Sequence, residues 1–364
     1  LTPIKSMPDL PSASNPLSRR RFVRNSGIAA GATSISFPNI VSAQANKSPL
    51  KLGLIGCGGR GNGAANQALS ADKDVSLTCV ADVFEKKADA AINNLRKRHP
   101  DQVGMPQRLI GFDAYKQVIE SSDVVILTTP PGFRPMMLRA AIEAGKHVFC
   151  EKPVAVDGPG LRSVAETVKK AKEKNLNLVS GLCWRYDYGV RETMKRIQDG
   201  AIGDIMAVQE NYLTGTLWHR GRKPNWSEME YQMRNWLYFT WLSGDHIVEQ
   251  HIHSLDKALW LMGDKRPVKA TGLGGRQMRT EEKWGHVFDH FAVCYEWENG
   301  AKTFSYTRQM SGCKNNVEDY VLGTKGRAMI LRNSVQPNEG EAWRYRGAKP
   351  SMYDVEHKEL FAAI

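Results

Sequence analysis

The chain has 364 residues and a formal net charge of +12 at pH 7, with a composition that is ordinary for a globular protein. Its length is sufficient for two domains, each with its own core. No stretch approaches the ~20 consecutive apolar residues of a membrane-spanning helix. Five of the basic residues lie in the first 45, and the others are scattered without a basic helix or an aromatic–basic RNA motif. We therefore expect no membrane segment and no nucleic-acid partner.

The N-terminal 45 residues resemble a twin-arginine export signal. Ser18-Arg-Arg-Arg-Phe-Val-Arg24 precedes a weakly apolar stretch rich in Gly and Ala, and Ala43-Gln44-Ala45 has the pattern of a cleavage site. The alternative is a disordered basic tail. We expect residues 1–45 to direct the folded protein to the periplasm. The chain begins with Leu and ends within an apparent helix, so we also expect truncation at one or both ends.

A glycine-rich turn, Gly56-Cys-Gly-Gly-Arg-Gly61, lies between a predicted strand and a predicted helix. This is the G-x-G-x-x-G pattern of dinucleotide-binding folds. Its first glycine permits the tight turn, the second lets the backbone approach a pyrophosphate, and the third lets the helix lie close to the strand. The helix N-terminus then offers free N–H groups and the positive end of its dipole to the phosphates. The predicted cofactor contacts here are Gly56, Gly58, Gly59, Arg60 and Gly61.

An acidic residue, Asp82, stands at the end of the next predicted strand, Val75–Ala81, 21 residues after Gly61. A dinucleotide fold places an acid about 20 residues after the glycines, where it accepts hydrogen bonds from the ribose. Asp82 is also suited to be the N-cap of a helix over Glu85–Arg98, and the two roles are compatible. A carboxylate there repels a 2′-phosphate, so we expect NAD(H) rather than NADP(H), although two nearby lysines weaken that preference.

From residue 48 to residue 182, apolar strands alternate with helices, which indicates a parallel sheet covered on both faces, a Rossmann domain. Ligands of such a domain lie at the carboxyl ends of the strands. The segments after Leu127 and Cys150 should therefore face the cofactor, and they add Thr129, Pro130, Glu151 and Lys152 to its predicted contacts. After the second strand the predicted elements are Gln107–Ile110, Ala114–Glu120, Asp123–Leu127, Pro135–Ala144, His147–Cys150, Gly158–Glu173 and Leu176–Gly181.

Residues 183–364 have a different pattern, in which a few helices accompany alternating strands. Glu298-Asn299-Gly300 is typical of a hairpin turn between two of the strands. The predicted fold class is therefore α/β: an N-terminal Rossmann domain and a C-terminal α+β domain with a mainly antiparallel sheet. The predicted elements are the helices Tyr188–Gln198 and Ile247–Met262, the polar loop Gly215–Asn235, and the strands Ile205–Tyr212, Phe291–Trp297, Lys302–Tyr306 and Ala328–Leu331.

Three sequence stretches resemble one family. GLIGCGGRG at the start of the first domain, TTPP at Thr128–Pro131 and AGKHVFCEKPVAVD around Lys152 are similar to the glucose–fructose oxidoreductase, inositol dehydrogenase and rhizopine-catabolism (Gfo/Idh/MocA) family. The resemblance covers Lys51–Met262 well and the later strands more loosely. It implies an NAD(P)-dependent enzyme acting on CH–OH groups, and a homo-oligomer, dimer or tetramer, paired through the open face of the second sheet.

Lys152 follows the fifth strand in the tripeptide Glu151-Lys152-Pro153. At the end of a nucleotide-facing strand, a lysine can donate to a substrate hydroxyl and stabilise the alkoxide that forms as hydride leaves carbon. Pro153 restricts the backbone of Lys152 to extended values. The resemblance implies that Lys152 is both catalytic and in contact with the cofactor. The alternative is a surface lysine in a turn.

A second cluster lies in Asp245-His-Ile-Val-Glu-Gln-His-Ile-His-Ser-Leu-Asp256. On one continuous helix His246, Glu249, His253 and Asp256 share a face, with His251 pointing elsewhere. The resembled family has Asp-x-Gly-x-His-x-x-Asp here. The resemblance implies that His253 is the catalytic acid/base and Glu249 its carboxylate neighbour, with Glu replacing Asp and His251 replacing Gly. The alternatives are a zinc site built by this face and satisfied polar residues at a domain interface.

The predicted substrate contacts also include aromatic residues near the cleft. Tryptophan rings present flat apolar faces that suit sugars, although each ring is more often part of a core. The Trp184-Arg185-Tyr186 run follows the sixth strand, and His246 and His251 complete the predicted substrate contacts. Arg134 stands where family members often have His, which leaves the nicotinamide-side contact open. The five clustered tryptophans are Trp184, Trp218, Trp226, Trp236 and Trp241.

These observations predict an exported, NAD(H)-dependent oxidoreductase acting on a sugar, polyol or glycoside hydroxyl. Little free NAD surrounds an exported enzyme, so we expect a tightly bound, recycling cofactor. One alternative is a glycoside-cleaving enzyme that uses transient oxidation and elimination, and another is a non-catalytic sugar- or nucleotide-sensing protein. We expect no disulfide, because four of the six cysteines lie in or beside apolar strand-like runs, and no metal, because no C-x-x-C occurs.

Overall fold

The structure is a computed structural model that describes residues 48–364. The predicted export signal, residues 1–45, lies outside the described residues, so export remains a prediction. Nothing in the range 48–364 has both the length and the hydropathy of a membrane-crossing helix.

A six-stranded parallel sheet organises the first domain. The strands lie in the order β3-β2-β1-β4-β5-β6, which is the order of doubly wound dinucleotide-binding folds. The predicted Rossmann domain is therefore confirmed. The strands are β1 (Leu50–Ile55), β2 (Val75–Asp82), β3 (Gln107–Ile110), β4 (Val124–Leu127), β5 (His147–Cys150) and β6 (Leu178–Ser180).

Helices cover both faces of this sheet because its strands are apolar on both sides. Leu52 and Leu54 pack on one face with α1 and α2. Ile55 and Leu127 pack on the other face with α3, α4 and α5. The helices are α1 (Gly59–Ala71), α2 (Glu85–Arg98), α3 (Ala114–Glu120), α4 (Arg134–Glu143) and α5 (Gly158–Glu173), with a 3₁₀ turn at Pro131–Phe133 before α4.

The second domain is built on an eight-stranded sheet of order β14-β13-β12-β11-β7-β10-β9-β8. All neighbouring strands are antiparallel except β7 and β10, which are parallel. The predicted mainly antiparallel sheet is confirmed. Its strands are β7 (Ile205–Thr214), β8 (Lys269–Gly275), β9 (His290–Glu296), β10 (Lys302–Gln309), β11 (Asn316–Gly323), β12 (Gly326–Met329), β13 (Ser334–Pro337) and β14 (Trp343–Arg344).

Short helices connect the strands of the second domain, and three of them correct the sequence-based prediction. The segment 215–235 is not entirely loop, because α7 forms within it. The helix predicted over Ile247–Met262 is two helices, α9 and α10, interrupted at Gln250 and His251. The helices are α6 (Tyr188–Gln198), α7 (Glu228–Arg234), α8 (Thr240–Ser243), α9 (His246–Glu249) and α10 (Ile252–Leu261), with 3₁₀ turns at Cys183–Tyr186, Trp236–Tyr238 and Glu282–Trp284.

The interruption between α9 and α10 has a non-local cause. In a continuous helix the carbonyl of Glu249 would accept from the N–H of His253. Here the ammonium of Lys152, from the other domain, donates to that carbonyl, and the His253 N–H instead donates to the carbonyl of Gln250 at 3.5 Å. The interruption therefore coincides with the contact that Lys152 makes with the second domain.

The last helix, α11 (Met352–Ala363), packs on the first domain although it follows the second sheet in the chain. Leu360 and Phe361 join the apolar cluster of β1, α1 and α2. All six cysteines are free, and Cys57, Cys79 and Cys150 are buried, as expected for small apolar side chains.

Candidate functional site

The glycine turn between β1 and α1 forms an open cradle. Gly56 has a φ of +95°, and a Cβ there would lie 2.7 Å from the backbone of Thr128. A Cβ on Gly61 would lie 1.9 Å from the carbonyl oxygen of Gly56, so the approach of helix to strand requires glycine. In contrast, nothing lies within 4 Å of a Cβ built on Gly58 or Gly59. The backbone there is accessible to a ligand, as phosphate binding requires.

A cavity of about 450 Å³ opens at this turn, a size typical of small-molecule and cofactor sites. The first domain contributes the glycine turn, Asp82, Thr129, Pro130 and aromatic side chains of α3 and its preceding loop. These residues fit the adenosine and phosphate parts of a dinucleotide, because the cradle for the phosphates and the acid for the ribose share one cavity. The second domain contributes Trp218, Arg220, Met233, Arg234 and Trp236.

Asp82 supports the turn as well as lining the cavity. One carboxylate oxygen accepts from the N–H of Cys57 at 2.8 Å, and the other accepts from the N–H of Phe84 at 2.9 Å. Each oxygen retains a lone pair for a further hydrogen bond. The alternative role is wrong: the N-cap residue of α2 is Phe84, and no side chain caps that helix.

Arg60 lines the cavity, but its guanidinium is engaged on the inner side of the turn. It donates to the carboxylate of Glu151 and, at 2.8 Å, to the side chain of Gln67. One nitrogen also lies 3.8 Å from the buried carboxylate of Glu356 on α11. Burial, followed by the charge of Glu151, raises the pKa of Glu356 to about 8. Glu151 therefore joins the glycine turn to the lysine turn through Arg60.

Arg134, which the sequence left without a role, holds the turn that carries Lys152. Its buried guanidinium donates to the carbonyl of Glu151 at 3.0 Å and to that of Pro153 at 2.6 Å. The Glu151 carboxylate accepts from the N–H of Lys152 at 3.0 Å. The lysine backbone is thus fixed on both sides. No pattern in the sequence pointed to this contact, because it depends on how α4 lies against the end of β5.

Lys152 and Glu249 form an ion pair between the two domains. The ammonium lies 3.0 Å from a carboxylate oxygen, and the two side chains are 16% and 14% exposed. A pair at this depth remains accessible to a small molecule. The ammonium can therefore exchange one of its partners for a substrate oxygen.

His253, in the first turn of α10, lies near this pair. Burial lowers the pKa of the imidazole well below its ordinary value, and the positive charges of Lys152, Lys257 and Arg60 lower it further. The ring is therefore neutral at pH 7. Its Nδ1 has no hydrogen-bond partner among the described residues, and a neutral imidazole with a free nitrogen can accept a proton.

The four residues predicted to share one helix face do not meet in one site, because the helix is interrupted. His246 is buried, and its Nδ1 lies 3.1 Å from the carbonyl of Phe288. Asp256 pairs with Arg185 at 2.9 Å. Only Glu249 and His253 remain near Lys152. Within residues 48–364, no group of three or more His, Cys, Asp or Glu side chains is arranged to hold a metal ion.

The predicted substrate contacts are mostly engaged elsewhere. His251 is fully buried and its Nε2 lies against the hydroxyl of Ser305, so it does not face the cleft. Arg185 forms ion pairs with Asp256 at 2.9 Å and with Asp264 at 2.8 Å. Its guanidinium, predicted to bind sugar hydroxyls, is therefore already paired. Trp184 packs against the core of the second domain, and the guanidinium of Arg191 lies 5.2 Å from the centre of the Tyr186 ring.

Two family models match this chain. The first, described as an oxidoreductase family with an NAD-binding Rossmann fold, matches residues 50–181. The second, the GFO/IDH/MocA C-terminal domain, matches residues 190–329. Together they span both domains. The chain belongs to the GFO/IDH/MocA family. The family assignment implied by the three sequence stretches is therefore confirmed.

Curated relatives match about 56% to 64% of the chain. An uncharacterized oxidoreductase of Streptococcus pneumoniae is 32% identical over 206 residues, which are 56% of this chain and 51% of that protein. A 2,7-anhydro-N-acetylneuraminate hydratase of Escherichia coli is 29% identical over 57% of this chain and 51% of its own length. A levoglucosan dehydrogenase of Pseudarthrobacter phenanthrenivorans is 27% identical over 64% and 63%. The matches thus span about half to two thirds of these relatives.

Solved structures share the fold at low sequence identity. An oxidoreductase of Thermotoga maritima has a TM-score of 0.66 at 19% identity, covering 87% of this chain and 88% of its own. A levoglucosan dehydrogenase in complex with NADH and levoglucosan has a TM-score of 0.66 at 20% identity, covering 86% and 88%. The two-domain architecture is therefore that of known GFO/IDH/MocA structures.

Proposed function

We propose that this chain is an NAD(H)-dependent oxidoreductase that acts on a hydroxyl group of a carbohydrate. The observation that carries the proposal is the placement of the accessible Lys152–Glu249 pair beside the neutral His253. A cation for a developing alkoxide and a base for its proton are the two groups that oxidation of a CH–OH requires.

The residues divide this work between them. His253 accepts the hydroxyl proton, and Lys152 donates a hydrogen bond to the substrate oxygen and stabilises its negative charge. Glu249 pairs with the Lys152 ammonium at 3.0 Å. Arg134 fixes the backbone on both sides of Lys152. When bound, the nicotinamide cofactor supplies the acceptor for hydride. It would be held by the glycine turn, Asp82, Thr129 and Pro130, which line one cavity.

The substrate class comes from the relatives. Those with informative names include inositol 2-dehydrogenases, a levoglucosan dehydrogenase and 2,7-anhydro-N-acetylneuraminate hydratases. Each name denotes a polyol or a sugar derivative, which favours a carbohydrate for this chain. The predicted export signal of residues 1–45 favours periplasmic action, and scarce free NAD there favours a retained, recycling cofactor. The family resemblance favours a homo-oligomer.

A second candidate is cleavage or rearrangement of a glycoside without net oxidation. The similarity to hydratases favours it, because addition of water has no net redox change. The same three residues serve both reactions: transient oxidation acidifies a neighbouring C–H, and elimination then releases the leaving group. The difference lies in whether reduced substrate is regenerated.

The test begins with the purified full chain, which is denatured so that any released nucleotide can be identified by mass and absorbance. Stoichiometric NAD(H) supports a retained cofactor, and turnover is then measured on sugars, polyols and glycosides without added NAD. The variant Lys152→Met should lower kcat by about 10²- to 10³-fold while nucleotide remains bound. Lys172→Met, an exposed lysine on α5, is the matched control. Normal turnover by Lys152→Met would refute the proposal.

The variant His253→Ala distinguishes the proposed enzyme from a non-catalytic sensing protein. An enzyme loses turnover in that variant, whereas a sensing protein has no turnover in the wild type and keeps its ligand response. The absence of nucleotide after denaturation, combined with saturable binding of added NADH, would favour a cofactor that dissociates in each cycle.

A further inference from the structure

The nucleotide cavity has a second wall, formed by residues 217–236 of the second domain, which we call the strap. Its side chains line the same cavity as the glycine turn and Asp82. The sequence drew attention to tryptophans here as possible sugar contacts, but Trp218 and Trp236 line the nucleotide cavity instead. The cavity-lining residues of the strap are Trp218, Arg220, Met233, Arg234 and Trp236.

Buried polar side chains fix the backbone of the strap. The carboxamide oxygen of Asn235 accepts from the N–H of Arg220 at 2.8 Å, and its nitrogen donates to the carbonyl of Arg220 at 3.0 Å. The hydroxyl of Tyr238 donates to the carbonyls of Leu217 and Trp218 at 3.0 and 2.9 Å. Asn235 and Tyr238 are fully buried. The strap is therefore an ordered element.

Apolar contacts join the strap to the first domain directly after β2. Val83, Phe84 and Phe133 pack against the apolar cluster of the second domain. The guanidinium of Arg234 lies 4.0 Å from the centre of the Phe84 ring and is paired with Glu230 at 2.7 Å. The two walls of the cavity are thus in contact beside Asp82.

Two cations, Lys87 and Arg220, line this end of the cavity. Within residues 48–364, neither Lys87 nor Arg220 belongs to any ion pair, and the Arg220 guanidinium lies 5.3 Å from the centre of the Trp218 ring. Burial lowers the pKa of Lys87; the charge of Asp82 opposes that decrease, and the charges of Arg220 and Arg234 add to it. Positive charges therefore converge on a cavity that already contains a phosphate cradle.

We propose that the strap binds the adenosine and phosphate half of the dinucleotide, with Arg220 attracting phosphate and Trp218 covering apolar surface of the nucleoside. The cofactor is then enclosed by both domains, and it leaves slowly because release requires the strap to separate from the residues around Phe84. The proposal rests on the proposed function for the identity of its ligand, NAD(H). It adds cofactor contacts from the second domain.

The test compares Arg220→Ala with Arg222→Ala in the full chain. Both arginines are exposed and lie in the strap, and each variant removes one positive charge, but Arg222 is paired with Glu228 and does not line the cavity. NADH is loaded, and its release into excess NAD⁺ is followed by fluorescence. Loss of one charge-assisted contact should weaken binding about tenfold in Arg220→Ala, mostly through faster release. Arg222→Ala should bind like the wild type.

A second pair of variants tests the aromatic contact. Trp218→Ala should accelerate NADH release and lower energy transfer from tryptophan to NADH, whereas Trp343→Ala, on β14 away from the cavity, should do neither. Equal NADH affinity and release in Arg220→Ala, Trp218→Ala and their controls would overturn the proposal that the strap binds the cofactor. The proposed function would remain intact. If the wild type bound NADH but oxidised no carbohydrate, the proposed function alone would fail. Failure of the wild type to bind NADH would overturn both.

Discussion

Two lysine–carboxylate pairs act on His253, and they differ in their access to water. Lys152 and Glu249 lie 3.0 Å apart with side chains 16% and 14% exposed. Lys257 and Asp319 lie at the same distance with side chains 1% exposed. Both lysines lower the pKa of His253. The chemistry and the separation are the same, so the depth of burial distinguishes the roles of the two pairs.

A fully buried ion pair loses the hydration of both charges, and removing one partner leaves the other uncompensated. Lys257, which is itself on α10, also donates to the carbonyl of His253 one turn earlier at 2.9 Å, and its pair with Asp319 joins this helix to β11. The Lys152 pair, being partly exposed, can exchange hydrogen bonds with a substrate. We therefore assign chemistry to the Lys152 pair and positioning to the Lys257 pair.

The largest expected effect is the loss of turnover in Lys152→Met. Removing a group that stabilises developing negative charge lowers kcat by about 10²- to 10³-fold. The loss of stability should be smaller than that of Lys257→Met, because Glu249 retains some access to water. The measurement is kcat at saturating substrate, together with the thermal unfolding midpoint and NADH binding. A variant that lost stability but kept its kcat would reverse the assignment of the two pairs.

Lys257→Met should have its main effect on stability. Leaving Asp319 charged and buried without its partner costs about 3–5 kcal/mol of unfolding free energy, which urea denaturation would measure. The double variant Lys257→Met/Asp319→Leu replaces both charges and should recover much of that loss. If Lys257→Met were as stable as the wild type, the assignment of a positioning role to the Lys257–Asp319 pair would be wrong.

How far the sequence predicted these sites depended on whether the interactions were local. The glycine turn, Asp82 and the strand order follow from patterns within the first domain, and the Lys152 turn follows from its place after a strand. The interruption at Gln250 was missed, because it depends on a hydrogen bond from Lys152 to the carbonyl of Glu249, 97 residues later in the chain. Helical periodicity contains no information about that donor.

The strap shows the same limit. Its tryptophans were visible in the sequence. They were assigned to a sugar cleft because tryptophan rings suit sugars, and nothing in the sequence showed where the rings lie in the fold. The deciding contacts are made by Asn235 to the backbone of Arg220 and by Phe84 to the cluster of the second domain. Residues of these types are common in protein cores, so their identity in the sequence did not indicate these two contacts.

Replacing Arg134 tests the Lys152 pair indirectly, because Arg134 fixes the turn that carries Lys152. The expected fall in kcat is smaller than that of Lys152→Met. Arg134→Lys keeps a positive charge but loses the planar group that reaches the carbonyls of Glu151 and Pro153. We expect kcat to fall about tenfold, one lost hydrogen bond to a charged group, with KM and NADH affinity near those of the wild type. Arg139→Lys, an exposed arginine on the same helix, is the control. An increase in KM at constant kcat would place Arg134 in binding instead.

The most gradual effect concerns pH and the Lys257 pair. Burial, followed by the charge of Asp319, raises the pKa of the nearby Glu210 to about 8. A carboxyl group with a raised pKa binds its proton more tightly in the folded state than in the unfolded state, where the pKa is near 4.5. Its contribution to stability is therefore fully present below pH 4.5 and is lost as the pH rises through about 8.

Urea denaturation between pH 7 and pH 8 would detect this loss, whose limit for one group is about 1.4 kcal/mol per pH unit. Below pH 7 the buried histidines His251, His253 and His357, whose pKa is lowered, add a slope of the opposite sign. Glu210→Gln should reduce the slope but not abolish it, because Glu356 also has a pKa raised to about 8 by its burial. Glu210→Gln/Glu356→Gln should remove most of the slope. If Glu210→Gln kept the full slope, Glu210 would be ionised beside Asp319. Lys257 would then balance two carboxylates, and the buried site would be a charged triad rather than a pair with a neutral neighbour.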